Sequence, residues 1–361
     1  MRDRRPRRRP LRALLVAVLA LGALYLAAWP TPVDPESWSA PPPARFEGVF
    51  APNGKLAAVE WLARGEGVGP EAIAIDASGD VYTGFLGGRI IRMDRTGGNV
   101  RTVATTGGRA LGLAFGAHGA LYVADGDRGL LRVDKGNVEL LADGEGGRPF
   151  KFTDDLDVAV DGTVYFTDAS WKFNFEAHEL DILEHRPNGR LLSWSPVTKK
   201  VELLAGNRRF ANGVALTADG TGVLFTETTE YRVMRYGLTG PKKGQLEVFA
   251  EGLPGFPDNI TYSREKQRYW VALAAPRDAV VDGLSAWPHL RRAVARLPKA
   301  LLPKPKRHAQ IVALDLNGKV IAYLDHDAPT SFSPISSVRE HDGWLYLGSF
   351  GRDAVGRIRA P

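Results

Sequence analysis

A strand–turn–strand pattern recurs six times between residues 71 and 348 of this chain. Each copy starts with a stretch in which apolar and other residues alternate, passes through a polar or glycine-containing turn, and ends in a second apolar strand, as in Asn212–Glu227. Alternation with a period of two is typical of strands and not of helices. A unit of this kind, repeated at intervals of tens of residues, indicates a propeller. The repeat therefore restricts the chain to an all-β fold made of similar units.

The spacing of the copies predicts a six-bladed β-propeller. Blades of four short strands span about 40–50 residues, so the two longest intervals must contain insertions. We place these insertions at Ser170–Pro187 and Arg277–Arg307, and we expect a helix over Leu284–Leu302 in the second. The strand Leu56–Leu62 precedes the first copy and is expected to close the ring by joining the last blade beside Val355–Arg359. The first positions of the six copies are Glu71, Leu111, Asp154, Asn212, Asp258 and Ser336.

The first 44 residues differ from the repeats. Residues 1–12 contain seven arginines and one aspartate, which together account for the whole net charge of +6. Residues 13–29 are uncharged and mostly apolar, so we predict either a transmembrane anchor, which we favour, or a cleaved signal sequence. The arginines should remain in the cytoplasm. The propeller, residues 45–361, is then extracytoplasmic, or secreted if cleavage occurs. Six prolines predict that residues 30–44 form an extended linker.

Composition excludes several functions. Residues 13–361 carry no net charge, which argues against a nucleic-acid-binding body. The chain has no cysteine, so catalysis by a thiol and metal sites with cysteine ligands are excluded. An exported domain without disulfides must be stabilised by its hydrophobic core.

Polar side chains occupy four of the six first positions, namely Glu71, Asp154, Asn212 and Asp258. The innermost strand of each propeller blade lines the central channel, so these side chains should converge at one end of it. Three converging carboxylates repel one another unless a cation lies among them, and oxygen ligands of this kind favour Ca²⁺. Asn259 follows directly and could reach the same ion. We predict that Asp258 serves as a catalytic base or nucleophile beside the ion.

Two other residues are candidates for substrate binding. Arg109 lies two residues before Leu111, the first position of the second copy. It either has a structural role or contacts an anionic substrate. Trp171 lies in the first insertion. Long excursions from a regular scaffold often carry function, so Trp171 is expected near the substrate.

Seven short motifs, taken in order, resemble the strictosidine synthase-like family. This family includes adipocyte plasma membrane-associated proteins and belongs with gluconolactonase/regucalcin and the paraoxonases. The resemblance implies a six-bladed propeller with calcium in its channel, and many relatives hydrolyse lactones, aryl esters or organophosphates. The motifs are Gly69-Pro-Glu-Ala-Ile-Ala74, Gly108-Arg-Ala-Leu-Gly-Leu113, Asp154-Asp-Leu156, Tyr165-Phe-Thr-Asp168, Phe210-Ala-Asn-Gly213, Pro257-Asp-Asn259 and Glu340-His-Asp-Gly-Trp-Leu-Tyr-Leu-Gly348.

The resemblance also assigns individual residues. Glu71, Asn212 and Asp258 match metal ligands of the related hydrolases, and Asn259 matches an additional ligand of paraoxonases. Asp154 stands where these relatives commonly have asparagine, which adds a negative charge to the ring.

Two departures from the family pattern limit the expected chemistry. Ser336 replaces the glutamate that strictosidine synthase requires, and Leu111 replaces the catalytic histidine of paraoxonases. The sequence thus predicts a membrane-anchored, Ca²⁺-dependent hydrolase of small lactones or aryl esters. In this hydrolase Asp258 and a calcium-bound water would carry out the attack. The alternative is a non-catalytic propeller, stabilised by calcium, that binds a protein or glycan partner.

Overall fold

The computed structural model describes residues 9–298, 301–302 and 306–361. Within these residues, six four-stranded antiparallel sheets follow one another along the chain. The first strands of successive sheets pack against each other around a common axis. The predicted six-bladed β-propeller is therefore confirmed.

The ring begins with β1 (Glu60–Leu62), which is separated in sequence from the sheet it joins. Blade 1 contains β2 (Ala74–Ile75), β3 (Val81–Gly84), β4 (Arg89–Met93) and β5 (Arg101–Thr105). Blade 2 contains β6 (Ala110–Phe115), β7 (Leu121–Asp125), β8 (Gly129–Asp134) and β9 (Asn137–Ala142). A small hairpin, β10 (Gly144–Glu145) and β11 (Arg148–Pro149), follows blade 2. Blade 3 contains β12 (Thr153–Val158), β13 (Val164–Asp168), β14 (Gly189–Trp194) and β15 (Val201–Arg208).

The remaining blades have the same order of strands. Blade 4 contains β16 (Ala211–Leu216), β17 (Gly222–Glu227), β18 (Arg232–Gly237) and β19 (Leu246–Ala250). Blade 5 contains β20 (Gly255–Ser263), β21 (Arg268–Pro276), β22 (Ala309–Leu314) and β23 (Val320–His326). Blade 6 contains β24 (Ser337–His341), β25 (Trp344–Gly348), β26 (Val355–Arg359) and, as its outermost strand, β1.

Pairing of β1 with β26 closes the ring as predicted, with Leu62 opposite Val355. The N-terminal strand is shorter than expected, because Lys55–Ala58 form a 3₁₀ helix. Leu56 in this helix is almost fully buried and packs into the cluster between blades 5 and 6. Burial of Leu56 against two blades, rather than pairing with a strand, explains the shorter β1.

The hydrophobic core lies between neighbouring blades, because each sheet is covered on both faces. Between blades 5 and 6, for example, Trp270 packs with Ile311 and Val338. The same interface contains a buried ion pair in which Glu340 accepts two hydrogen bonds from Arg268, at 2.9 and 2.6 Å.

The N-terminal helix α1 (Arg9–Ala28) includes the end of the predicted basic tail, whose residues 1–8 lie outside the described residues. Most of its described apolar side chains are exposed, for example Leu19 at 63%. The C-terminal end does contact the second insertion, where the Arg296 guanidinium donates to the carbonyl of Leu26 at 2.7 Å. In the part of the chain that the structure describes, no helix has the length and apolarity needed to cross a membrane.

Residues 30–44 are extended, as their prolines predict, but they are not a free spacer. Val33 is buried, and the Trp38 ring stacks on His185 with 3.9 Å between ring centroids. Proline-rich backbone has carbonyls without partners in a sheet or helix, and arginines of the second insertion donate to them. Arg277 donates to Pro41 at 2.5 Å, and Arg291 donates to Glu36. The linker is therefore packed along the propeller.

Both insertions occur where the spacing predicts them. The first contains α2 (His178–Glu184). The second contains two short helices, α3 (Ala279–Gly283) and α4 (Pro288–Val294), and not the single helix predicted over Leu284–Leu302. Proline has no backbone N–H and disfavours helical geometry in the preceding residue, so a new helix starts at Pro288. Residues 299–300 of the expected helix lie outside the described residues.

Candidate metal and substrate site

A bulge interrupts the inner strand of blades 3, 4 and 5 close to the channel entrance. At each bulge two consecutive residues oppose one residue of the second strand, which turns the two side chains in different directions. The bulged pairs are Asp154–Asp155, Asn212–Gly213 and Asp258–Asn259. Each predicted ligand at these positions therefore owes its direction to a local break in the sheet.

Two threonines tie these bulges to each other. The Thr226 hydroxyl accepts from the Gly213 N–H and donates to the Asp258 carbonyl, both at 2.8 Å. Thr167 has the equivalent role in the preceding blade, where its hydroxyl donates to the Asn212 carbonyl at 2.5 Å. Sequence reasoning missed this role, although both threonines recur at the same place in the second strand.

Acidic residues at the end of the second strand hold the segment that leads into the inner strand. Asp125 accepts from the Arg109 N–H at 2.9 Å, and Asp168 accepts from the Phe152 N–H at 3.0 Å. Glu227 accepts from the Arg209 N–H at 3.2 Å. The sequence signal is an acidic residue that recurs at this position in blades 2, 3 and 4, and it was also missed.

Four of the predicted ligands converge. Glu71, Asp154, Asn212 and Asp258 are all at least 95% buried, and all four line one cavity of about 360 Å³. The walls of this cavity are mostly apolar and include side chains from both insertions. Wall residues include Phe152, Phe175, Ile182, Phe210, Phe256, Val281 and Phe350. The cavity therefore combines an acidic floor with apolar walls.

Several oxygens at this floor have no hydrogen-bond partner among the described residues. They are both carboxylate oxygens of Asp154, Oδ1 of Asp258 and the amide oxygen of Asn212. Buried oxygens left without partners are costly, and a hard cation would satisfy all of them, so the donor set fits Ca²⁺. Single oxygens of Glu71, Asp154 and Asp258 are not all within 4.8 Å of each other. Oxygens on opposite sides of Ca²⁺ are themselves up to about 5 Å apart.

Burial dominates the electrostatics of the floor. Burial raises the pKa of Glu71 to about 7, although Arg109 opposes this shift. Burial, followed by repulsion from Glu71, raises the pKa of Asp154 and of Asp258 well above the usual range. Without a cation the three groups therefore do not all ionise at neutral pH.

Asn259 lies at a different place from the other predicted ligands. Its buried amide oxygen has no hydrogen-bond partner within the described part of the chain, and the residue lines a second cavity of about 700 Å³. The C-terminal halves of the inner strands form that cavity, which also contains Asp155, Asp157 and Arg339. The bulge in β20 thus sends Asp258 and Asn259 to different ends of the channel.

The two predicted substrate-binding residues have different outcomes. Arg109 is 4% exposed and lies beside Glu71, with 3.3 Å between Nη2 and Oε2. Trp171 lies outside the apolar cavity. The residue is 36% exposed, and its ring packs under the Arg148 guanidinium. The structure therefore brings Arg109 to the site and leaves Trp171 away from it.

The two positions without a ligand are both buried. Leu111 packs with Phe152 and Phe210, so this position contributes an apolar contact. Ser336 is fully buried, and its backbone carbonyl accepts from the Asn259 N–H at 3.0 Å.

A second acidic cluster lies at and just beyond the ends of the inner strands β20 and β24. Among the described residues, Glu265, His341 and Asp342 are the three acidic or histidine side chains whose ligand atoms all lie within 4.8 Å. These side chains are 30–52% exposed. Such exposed groups are readily solvated, and we assign no site to them.

Two family models and several known proteins match this chain over different lengths. A family model described as strictosidine synthase matches residues 154–241, and one described as strictosidine synthase-like, N-terminal, matches residues 48–93. The adipocyte plasma membrane-associated protein of Bos taurus is 36% identical over 96% of this chain and 89% of its own length. The chain belongs to the strictosidine synthase-like family. Strictosidine synthase-like protein 6 of Arabidopsis thaliana is 37% identical over 61% of this chain and 58% of its own length.

Solved structures confirm the fold of this strictosidine synthase-like protein. A gluconolactonase from Xanthomonas campestris superposes with a TM-score of 0.59 at 17% identity, over 85% of this chain and 91% of the other. A calcium-binding regucalcin from Agrobacterium tumefaciens superposes with a TM-score of 0.54 at 16% identity, over 83% and 90%. At these identities the likeness concerns the fold alone.

Proposed function

We propose that this protein is a Ca²⁺-dependent hydrolase of small esters or lactones with apolar substituents. The observation that carries the proposal is the set of unpaired buried oxygens at the floor of the apolar cavity. Asp154, Asn212, Asp258 and Glu71 would hold the ion there. When bound, the ion would supply a Lewis acid that polarises a carbonyl oxygen and stabilises the negative charge that develops on it.

The protein's own residues would supply orientation, exclusion of water and a proton acceptor. Aromatic and aliphatic walls suit an aryl or alkyl substituent and remove water from around the reacting carbonyl. Asp258 would accept the proton of the attacking water on its carboxylate, which is held beside the proposed ion by the bulge in β20. Asn212 beside it favours the ionised form of Asp258.

A membrane association accompanies this activity in our proposal. Apolar side chains of α1, including Leu14, Leu19 and Leu24, are about 60% exposed. Relatives are named plasma membrane-associated. We assign α1 and the basic residues before it to the attachment, with Arg296 joining the end of α1 to the propeller. Fractionation with and without residues 1–29 tests this, and a full-length protein that stays in the soluble fraction with its N-terminus intact contradicts it.

Hydrolysis is tested with the full chain in detergent. Phenyl acetate and δ-valerolactone are supplied with calcium or with an excess of chelator, and product is measured for wild type and Asp258→Asn. Asp134→Asn, which changes an exposed carboxylate on β8, is the matched control. We expect activity that requires calcium, falls at least about a hundredfold in Asp258→Asn, and is retained in Asp134→Asn.

Two results would count against the hydrolase. Activity that persists in chelator, or in Asp258→Asn, removes the assigned roles of the ion and of Asp258. Calcium binding without turnover of esters or lactones favours the alternative of a structural ion in a binding propeller.

A further inference from the structure

Arg109 places a fixed positive charge beside the acidic floor. Its Nη2 lies 3.3 Å from Oε2 of Glu71, and both side chains are at least 95% buried. A guanidinium remains protonated at any ordinary pH, so this charge is permanent.

The surroundings of Arg109 prevent its guanidinium from leaving. Its Cζ lies 3.6 Å from the centroid of the Phe175 ring, which covers one face. On another side, Gly69 leaves room for Nη2, because a Cβ at that position would lie 3.2 Å from Nη2 and 3.0 Å from the Phe350 carbonyl. At the other end of the residue, the backbone N–H of Arg109 donates to the Asp125 carboxylate at 2.9 Å. The arginine is therefore built into the site.

The charges at the floor balance only for a divalent ion. Glu71, Asp154 and Asp258 contribute three negative charges when ionised, and Arg109 contributes one positive charge. The sum of these charges is −2, which a divalent cation neutralises. A buried site with uncompensated charge is unfavourable, because the low dielectric strengthens every charge–charge interaction.

We propose that Arg109 is the counter-charge for the third carboxylate of the ring and sets the preference of the site for divalent over trivalent cations. This inference rests on the proposed calcium site, which it extends from the ligands to the residue that controls selectivity. Arg109 thereby acts as a specificity-determining residue.

Calorimetric titration of the full chain with CaCl₂ and with TbCl₃ tests the proposal without measuring hydrolysis. The quantity compared between variants is the ratio of the calcium Kd to the terbium Kd. Arg109→Gln leaves a charge of −3, so this ratio should rise by about tenfold or more. Arg109→Gln combined with Asp154→Asn restores −2 and should return the ratio to the wild-type value.

Two variants separate charge from structure. Arg109→Lys keeps the charge without the planar fork, so its ratio should stay close to wild type. Arg190→Gln removes another buried arginine, paired with Asp168 at 2.7 Å in blade 3, and should also leave the ratio unchanged. If Arg109→Gln fails to fold, the double variant Arg109→Gln/Asp154→Asn is compared with Asp154→Asn, because loss of the arginine charge should again raise the ratio by about tenfold or more; equal ratios in these two variants overturn the role of Arg109.

The outcomes separate this inference from the function on which it rests. A wild-type chain that binds neither ion overturns the calcium site itself. A chain that binds Ca²⁺ with a ratio unchanged in Arg109→Gln, or equally changed in Arg109→Lys, overturns the role of Arg109 and leaves the calcium site standing.

Discussion

The Thr226 hydroxyl is the link between blades 4 and 5 at the site, and its removal is the most direct test of how the ring is held. Valine has nearly the shape of threonine, so Thr226→Val removes the hydroxyl with little change in packing. The Gly213 N–H and the Asp258 carbonyl each lose a partner at 2.8 Å, in surroundings where Thr226 is fully buried.

The expected cost follows from these two groups. A buried donor or acceptor without a partner costs about 1–3 kcal/mol, so two such groups should lower the free energy of unfolding by about 2–6 kcal/mol. Because the Asp258 backbone is no longer held, its carboxylate should also bind calcium less tightly. Calcium should therefore raise the unfolding midpoint of Thr226→Val less than that of wild type.

Urea unfolding of the full chain, with and without calcium, measures both effects. Thr261→Val is the control, since the Thr261 hydroxyl also links two inner strands but donates to the Val338 carbonyl, away from the floor. The control should lose less stability and keep the full effect of calcium. An unfolding midpoint of Thr226→Val equal to wild type, or a calcium effect equal in the two variants, would refute the reasoning.

Three further changes test the structure around the site. Gly213→Ala should lower the free energy of unfolding by about 1–3 kcal/mol, because a Cβ there would lie 2.4–2.6 Å from the backbone of blade 5. Gly206→Ala is the control, since a Cβ there has no atom nearer than 3.5 Å; equal urea midpoints for the two variants would contradict the prediction. Glu340→Ala leaves Arg268 buried without its carboxylate and should cost about 3–5 kcal/mol, and a thermal midpoint unchanged from wild type would rule this out. Burial raises the pKa of Asp181 to about 7 in the folded protein, so the folded state holds this proton more tightly than the unfolded chain. Its contribution to stability is complete below about pH 4 and is lost as the pH rises to about 7. Asp181→Asn should reduce the loss of stability between pH 5 and pH 8 in urea unfolding, and an unchanged loss would show that Asp181 is not its source.

Much of the fold could be predicted because its signals are local. The apolar run in segments such as Gly129–Asp134 reflects a strand whose two faces are both covered. Closure through β1 could be predicted because the last copy of the repeat lacks one strand and an isolated strand precedes the first blade. Helix bounds in the second insertion were less accurate, since Pro288 starts a new helix within an otherwise helical stretch.

The candidate site was only partly predictable. The shared position in the repeat identified Glu71, Asp154, Asn212 and Asp258, and in the structure these four residues line one cavity. Trp171 was expected near the substrate because it lies in an insertion, but the path of an insertion depends on contacts with distant segments. Its ring instead packs under Arg148.

By itself, the sequence determined the six-bladed architecture and the four ring positions, because strand alternation and repeat spacing act over a few residues at a time. The tertiary structure alone decided three features: the bulges that send Asp154 and Asp155 in different directions, the packing of residues 30–44 along the propeller, and the burial of Arg109 beside Glu71. Each depends on groups that are far apart in the chain and meet only when the blades are assembled. The balance of charge at the floor arises in the same way, from side chains contributed by four different blades.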